Sequence, residues 1–177
     1  MSVMIDVTTS LNLAFWQSLL ETLSHDALCL SELKIISAHP SGLLHARLPI
    51  TQRNVNRLST VHGGLLSTLV DTCGSLSISA RGLWTTGVST DIQVSFLRSA
   101  GTPGKDIDIE AKVDSIGRTL AFTSVTIRNS ENGKIVARGS HTKYVTTAFN
   151  HEKNVAFDQT GDNIAQGTLS PDEPPKL

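Results

Sequence analysis

Cysteine is scarce in this chain: 177 residues include only Cys29 and Cys73, each inside an apolar segment. That count argues against a disulfide scaffold, and both are read as reduced, buried thiols. Aromatic residues make up 5%, and fifteen Lys and Arg nearly offset sixteen Asp and Glu, for a formal net charge of −1. Without a basic surplus there is no electrostatic case for nucleic acid as a partner. No apolar run approaches the ~20 residues of a membrane-spanning helix. No Lys or Arg precedes Lys34, so neither a secretory n-region nor an Arg-rich transit peptide is visible. A cytoplasmic location, with the mitochondrion as alternative, is the expectation. The six histidines are scattered without ligand spacing, so no metal site is expected. The Gly-x-Ser-x-Gly elbow is also missing, which disfavours a Ser-His-Asp hydrolase.

What the chain does have is the stretch Asn56-Arg57-Leu58-Ser59-Thr60-Val61-His62-Gly63-Gly64, running into a long apolar segment with Asp71 in its middle. Leu65, Leu66, Leu69, Val70, Cys73, Leu76 and Ala80 recur at helical spacing, while Gly64, Ser67, Thr68, Asp71, Gly74 and Ser75 form a small or polar stripe. The glycine pair leaves N–H groups uncovered where a helix begins, and that end suits a carbonyl oxygen gaining negative charge. Asp71 reads equally as a solvated residue and as a functional carboxylate. Gly63 and Asp71 are eight residues apart, roughly 12 Å along a helix. If both serve one site, they must come from two copies of the chain in a two-fold dimer.

Around this helix the pattern is α+β. Residues 1–9 are expected to be loose, with Ser10 capping a helix whose stripe is Leu11, Phe15, Leu19, Leu20 and Leu23, with Trp16 beside it. Lys34 to Ala38 and Leu43 to Pro49 read as a hairpin whose His39 and His45 are solvated. The helix should end near Arg81-Gly82. Val88 to Phe96 alternates as a long strand, followed by Ile107 to Val113, Thr119 to Arg128, an Asn132-Gly133 turn and a return strand from Lys134 to about Thr146. The expected architecture is an antiparallel sheet curled around one long central helix, with an additional N-terminal helix. The expected division is an N-terminal helical segment 1–29, a main domain 30–146 and a polar, mobile tail 147–177.

Several blocks in order carry a resemblance: Asn56, Thr60-Val61-His62-Gly63-Gly64, Leu69-Val70-Asp71, Gly87-Val88-Ser89-Thr90-Asp91, Gly117-Arg118-Thr119-Leu120-Ala121-Phe122-Thr123-Ser124-Val125, Gly133-Lys134-Ile135-Val136-Ala137 and Gly139-Ser140-His141-Thr142-Lys143. Over residues 30–146 the chain resembles the hotdog-fold acyl-CoA thioesterases of the phenylacetyl-CoA thioesterase type. The resemblance implies a hotdog subunit paired into a homodimer, often again into a homotetramer, and hydrolysis of an acyl-CoA whose CoA is part of the substrate, with no separate cofactor. It implies that Asn56 and the N–H of Gly63 hold the thioester carbonyl, that His62 sets the turn and assists in orientation, and that Asp71 of the other subunit acts as base or nucleophile with help from Ser89. For the CoA moiety it points to Phe96, Arg98, Ser99, Ser115, Gly117, Arg118, Thr119 and Tyr144. Arg98, Arg118 and Lys143 are the candidate phosphate partners. One departure is that Arg98-Ser99 stands where an animal member has Ser-Pro, and the loop Gly101-Thr102-Pro103-Gly104 is one residue longer. Leu66, Val70 and Trp84 are candidates for the acyl lining. The alternatives are a hotdog acyl-thioester dehydratase or hydratase, with His62 as its base, and a non-catalytic acyl-CoA-binding module.

Overall fold

In a computed structural model of the chain, residues 6–168 are described. The first helix, α1 (Val7–Leu20), is capped by Asp6, whose side chain accepts from Thr9 N–H, so Ser10 lies inside the helix rather than at its start. Its buried face is Leu11, Asn12, Phe15 and Trp16 with Thr8 and Thr9, whereas Leu23 lies beyond the helix and is exposed. Thr9 Oγ1 accepts from Ala38 N–H at 2.9 Å, tying α1 to the first strand. Of the segment expected to be loose, residues 6–9 are therefore fixed, and residues 1–5 lie outside the described residues. A second helix, α2 (His25–Leu30), capped by Ser24, has no counterpart among the expected elements. Six residues are too few to show a helical period.

Strands β1 (Lys34–His39) and β2 (Leu43–Pro49) form the expected hairpin, and α3 (Gly63–Ser79) follows. Then come β3 (Val88–Phe96), β4 (Asp106–Ile116), β5 (Leu120–Asn129) and β6 (Ile135–Tyr144). All six pair antiparallel in the order β1-β2-β4-β5-β6-β3. The sheet curls around α3, the α+β architecture expected from the alternation of strand and helix periods. Leu69, Val70, Cys73 and Leu76 of α3 are fully buried in one core with Leu44, Ile107, Ile109, Val125 and Ile127 of the sheet, while Ile78 packs in a second cluster with Leu83, Ala121, Val145 and Ala148. Burying each such aliphatic side chain stabilises by roughly 2 kcal/mol. Gly139 of β6 lets helix and sheet approach: a Cβ there would lie 2.6 Å from both Val70 γ carbons.

β3 is an edge strand whose apolar face is covered only in part, at Val94, which packs against the core. Val88, Ile92 and Phe96 remain exposed, and among the described residues only β6 pairs with it. The described part of the polar tail is not loose. A short 3-10 turn (Ala148–Asn150) and the two-stranded ribbon of β7 (Ala156–Phe157) and β8 (Ile164–Gln166) follow β6. Val155 is buried in the core, and Asn154 Oδ1 accepts from Trp84 N–H at 2.9 Å. Residues 169–177 lie outside the described residues. Among the described residues, no helix is long and apolar enough to cross a membrane.

Candidate active site

α3 starts at Gly63 because His62 caps it. The His62 backbone is extended, and its Nδ1 accepts from Gly64 N–H at 2.9 Å. In the neutral ring the proton is then on Nε2. As the first helical residue, Gly63 has an N–H with no intrahelical acceptor at the positive end of the dipole. The Phe96 ring stands beside it, 3.5 Å from where a Gly63 Cβ would be. Asn56 shapes the approach. Its Oδ1 accepts from Leu58 N–H at 2.8 Å and its Nδ2 donates to Thr60 Oγ1 at 3.2 Å, so one amide hydrogen is left to donate elsewhere. Ser59, in the same loop, takes a positive φ of 57°.

Eight residues along the helix, Asp71 has 46% of its side-chain surface exposed. It lines an open cleft of about 510 Å³ together with His25, Ser67, Thr68, Ile92, Val94 and Phe96. One wall is polar and built from helices; the other is apolar and comes from β3. Asp71 Oδ1 lies 3.6 Å from His141 Nε2, and the same nitrogen is hydrogen-bonded to Ser89 Oγ at 2.8 Å. Ser89 therefore meets Asp71 through His141, to which the sequence alone assigns no role. His141 is wholly buried, and Gly74 makes room for it: a Cβ at Gly74 would lie 3.1 Å from His141 Nδ1. Burial first, then the neighbouring Lys143 ammonium, pushes the His141 pKa below the ordinary histidine value, against the opposing pull of Asp71. The imidazole is neutral at pH 7.

Lys143 does not face outward as a phosphate partner would. Its side chain runs inward from β6, is buried, and donates to Ser75 Oγ at 2.7 Å. Burial lowers its pKa, while Asp71 and Asp26 pull it back up. Cys73, fully buried, has its thiol pushed up to about 12 by burial and by Asp26, and is unreactive at neutral pH. Cys29 is only half-buried, with its sulfur 3.8 Å from His25. His39 is exposed, and His45 meets Glu110 at 3.6 Å on the outer face of the sheet. Among the described residues, no cluster of His, Cys, Asp and Glu could hold a metal ion.

The candidate CoA contacts fall into two exposed groups. Phe96, Arg98 and Ser99 sit at the end of β3, where the Arg98 guanidinium bonds the Ile135 carbonyl. Ser115, Gly117, Arg118 and Thr119 form the end of β4 and the turn into β5, beside Tyr144, which pairs with both Leu120 and Val88. The second group is thus at the start of β3 and the first at its end. Nine strand residues separate them by roughly 26 Å. In the same way, Asn56, His62 and Gly63 gather at one end of α3, and Asp71, His141 and Ser89 gather near its middle. The signal for His141 and Lys143 was strand parity: they alternate in step with Ala137, Gly139 and Val145, so they face the helix.

Residues 58–136 match the family model described as the thioesterase superfamily. The chain is 36% identical over 116 residues to human acyl-coenzyme A thioesterase 13, an alignment covering 66% of this chain and 81% of that protein. The structure of zebrafish thioesterase superfamily member 2 is similar with a TM-score of 0.69 and 33% identity, covering 77% of this chain and 96% of that one. The structure of the Escherichia coli PaaI protein, from the phenylacetic acid degradation operon, is similar with a TM-score of 0.60 and 25% identity, covering 76% and 94%.

Proposed function

The chain belongs to the thioesterase superfamily, and from that premise we propose that it hydrolyses an acyl-CoA thioester to the free acid and CoA at a site built from two copies of the chain. The observation that carries this reading is the separation of Gly63 from Asp71 on one rigid helix, roughly 12 Å, with Asp71 open to a cleft. A carboxylate at that distance cannot reach a carbonyl held at its own helix's N-terminus. Antiparallel pairing of two β3 edges supports the same assembly. It covers the exposed Val88, Ile92 and Phe96, satisfies the unpaired strand edge, and brings the Phe96–Ser99 end of one chain to the Ser115–Thr119 turn and Tyr144 of the other.

In this site the Gly63 N–H and the spare Asn56 amide hydrogen donate to the carbonyl oxygen, and His62 fixes the turn that aims them. Asp71 of the other copy acts on the carbonyl carbon, either by taking a proton from the attacking water or as the nucleophile. Water oxygen ends on the acyl carbon, the C–S bond breaks, and the CoA thiolate leaves and is protonated. Neutral His141, held by Ser89 and in contact with Asp71, fixes the carboxylate's orientation without neutralising its charge. The engagement of His62 as helix cap, with its Nδ1 occupied, supports hydrolysis over hydration by a His62 base. The test is free-thiol release from short, medium, long and aryl acyl-CoAs. Turnover of at least one is expected; release from none of them overturns the reading.

A further inference from the structure

A lysine ammonium lies inside the molecule directly behind the cleft, and the proposed hydrolysis has no use for it. Lys143 Nζ donates to Ser75 Oγ at 2.7 Å, one helical turn beyond Asp71 on the same face of α3. From the other side, α2 brings Asp26, whose carboxylate accepts a short hydrogen bond from Thr72 Oγ1. Thr72 and Ser75 are neighbours three apart on the helix, so the ammonium and the Asp26 carboxylate stand over adjoining turns. A buried cation bonded to a neutral hydroxyl is costly unless carboxylates share its field. The two that do so are Asp71 and Asp26.

We propose that Lys143 is a positioning residue for Asp71, its ammonium anchored on Ser75 and shared between Asp71 in the cleft and Asp26 supplied by the N-terminal segment. The inference rests on the reading of Asp71 as the acting carboxylate. Its logic is competition: the ammonium favours the charged form of Asp71, and Asp26 draws part of that field away. The other titratable groups facing Asp71 are His141 of β6, with Nε2 at 3.6 Å, and His25 of α2, which lines the same cleft; His141 is also the titratable neighbour of Lys143 on its own strand. β5 contributes only Ala121 opposite Lys143. The role of α2 is then electrostatic as well as structural, since it delivers the second carboxylate.

The experiment is the pH profile of kcat/KM for acyl-CoA hydrolysis by the full-length chain as Lys143→Met and Asp26→Asn. Methionine keeps the stem and removes the charge; asparagine keeps an oxygen for Thr72 and removes the competitor. The acid limb is expected to move to higher pH in Lys143→Met, with activity lost on the acid side of the profile. In Asp26→Asn it moves to lower pH. A purely structural role lowers the whole profile without moving the limb, and that result, or shifts of the same sign, overturns the proposal. If Lys143→Met does not fold, the direction of the Asp26→Asn shift decides alone, an unmoved limb counting against the proposal. Should the wild-type chain release no thiol, the function reading fails separately. The carboxyl ¹³C titration of Asp71 in the same variants then decides whether Lys143 and Asp26 act on that carboxylate, and identical titration curves would overturn the inference.

Discussion

Replacing Asp71 by asparagine removes a charge and almost nothing else. The side chain is nearly half exposed, its close contact is His141 Nε2 at 3.6 Å, and the amide can keep that contact. Asp71 is also one of the two carboxylates that share the field of the buried Lys143 ammonium, so a modest loss of folding stability, about 1 kcal/mol, is expected, with Asp26 still offsetting that charge. The catalytic cost is of another size. A positioned carboxylate working on water contributes about 10²–10⁴ in rate, or roughly 3–5 kcal/mol of barrier. Cleft access and the carbonyl donors proposed at Gly63 and Asn56 are unaltered, so the loss falls on kcat, with KM nearly unchanged. The assay is steady-state thiol release with the best acyl-CoA, alongside thermal unfolding of both proteins. A kcat within about threefold of wild type, in a variant that remains folded at the assay temperature, would refute the role given to Asp71.

Three further perturbations test the packing and the buried charges. A methyl at Gly139 would lie 2.6 Å from both Val70 γ carbons and 2.9 Å from the Gln93 carbonyl. Gly139→Ala should therefore cost about 1–3 kcal/mol by chemical denaturation, and the double variant with Val70→Ala should lose less than the sum of the singles. Because the folded His141 pKa is depressed, the unfolded chain binds the extra proton below about pH 6.5, and stability falls on acidification from there down to the folded value. His141→Gln should flatten that fall by up to about 1.4 kcal/mol per pH unit, and an unchanged slope would contradict the depressed value. Asn154 accepts from Trp84 N–H and donates to the Ala148 carbonyl, so Asn154→Ala should cost about 1–3 kcal/mol. A loss under about 0.5 kcal/mol would mean that the segment after Thr147 is loosely held.

The central helix was legible because its apolar residues keep a helical period over seventeen residues and a glycine pair marks its start. The strands were legible from alternation, and Asn132-Gly133 marked the last hairpin. What escaped depends on distant partners. α2 is one and a half turns long and is held by contacts such as Asp26 with Thr72. The segment after Thr147 looks polar, yet Asn154 and Val155 fix it to Trp84 and the core, and composition does not register such contacts. Val88 to Phe96 alternates as a half-buried strand does, but the chain alone leaves most of it exposed. At the site, Asp71, Asn56 and Ser89 are marked by the sequence, whereas His141 and Lys143 are not given their inward positions by it. Polar residues on a strand's buried face break the binary pattern, and they do so here next to the cleft.

A site shared between two chains is the central claim, and mixing two inactive variants tests it directly. Asp71→Asn lacks the carboxylate but keeps Asn56; Asn56→Ala lacks the carbonyl donor but keeps Asp71. Co-refolded in equal amounts, half of the random dimers carry one intact site of two, so activity should recover to about a quarter of the wild-type level. Activity no higher than that of either parent alone, with mixed dimers demonstrated by mass, would contradict it.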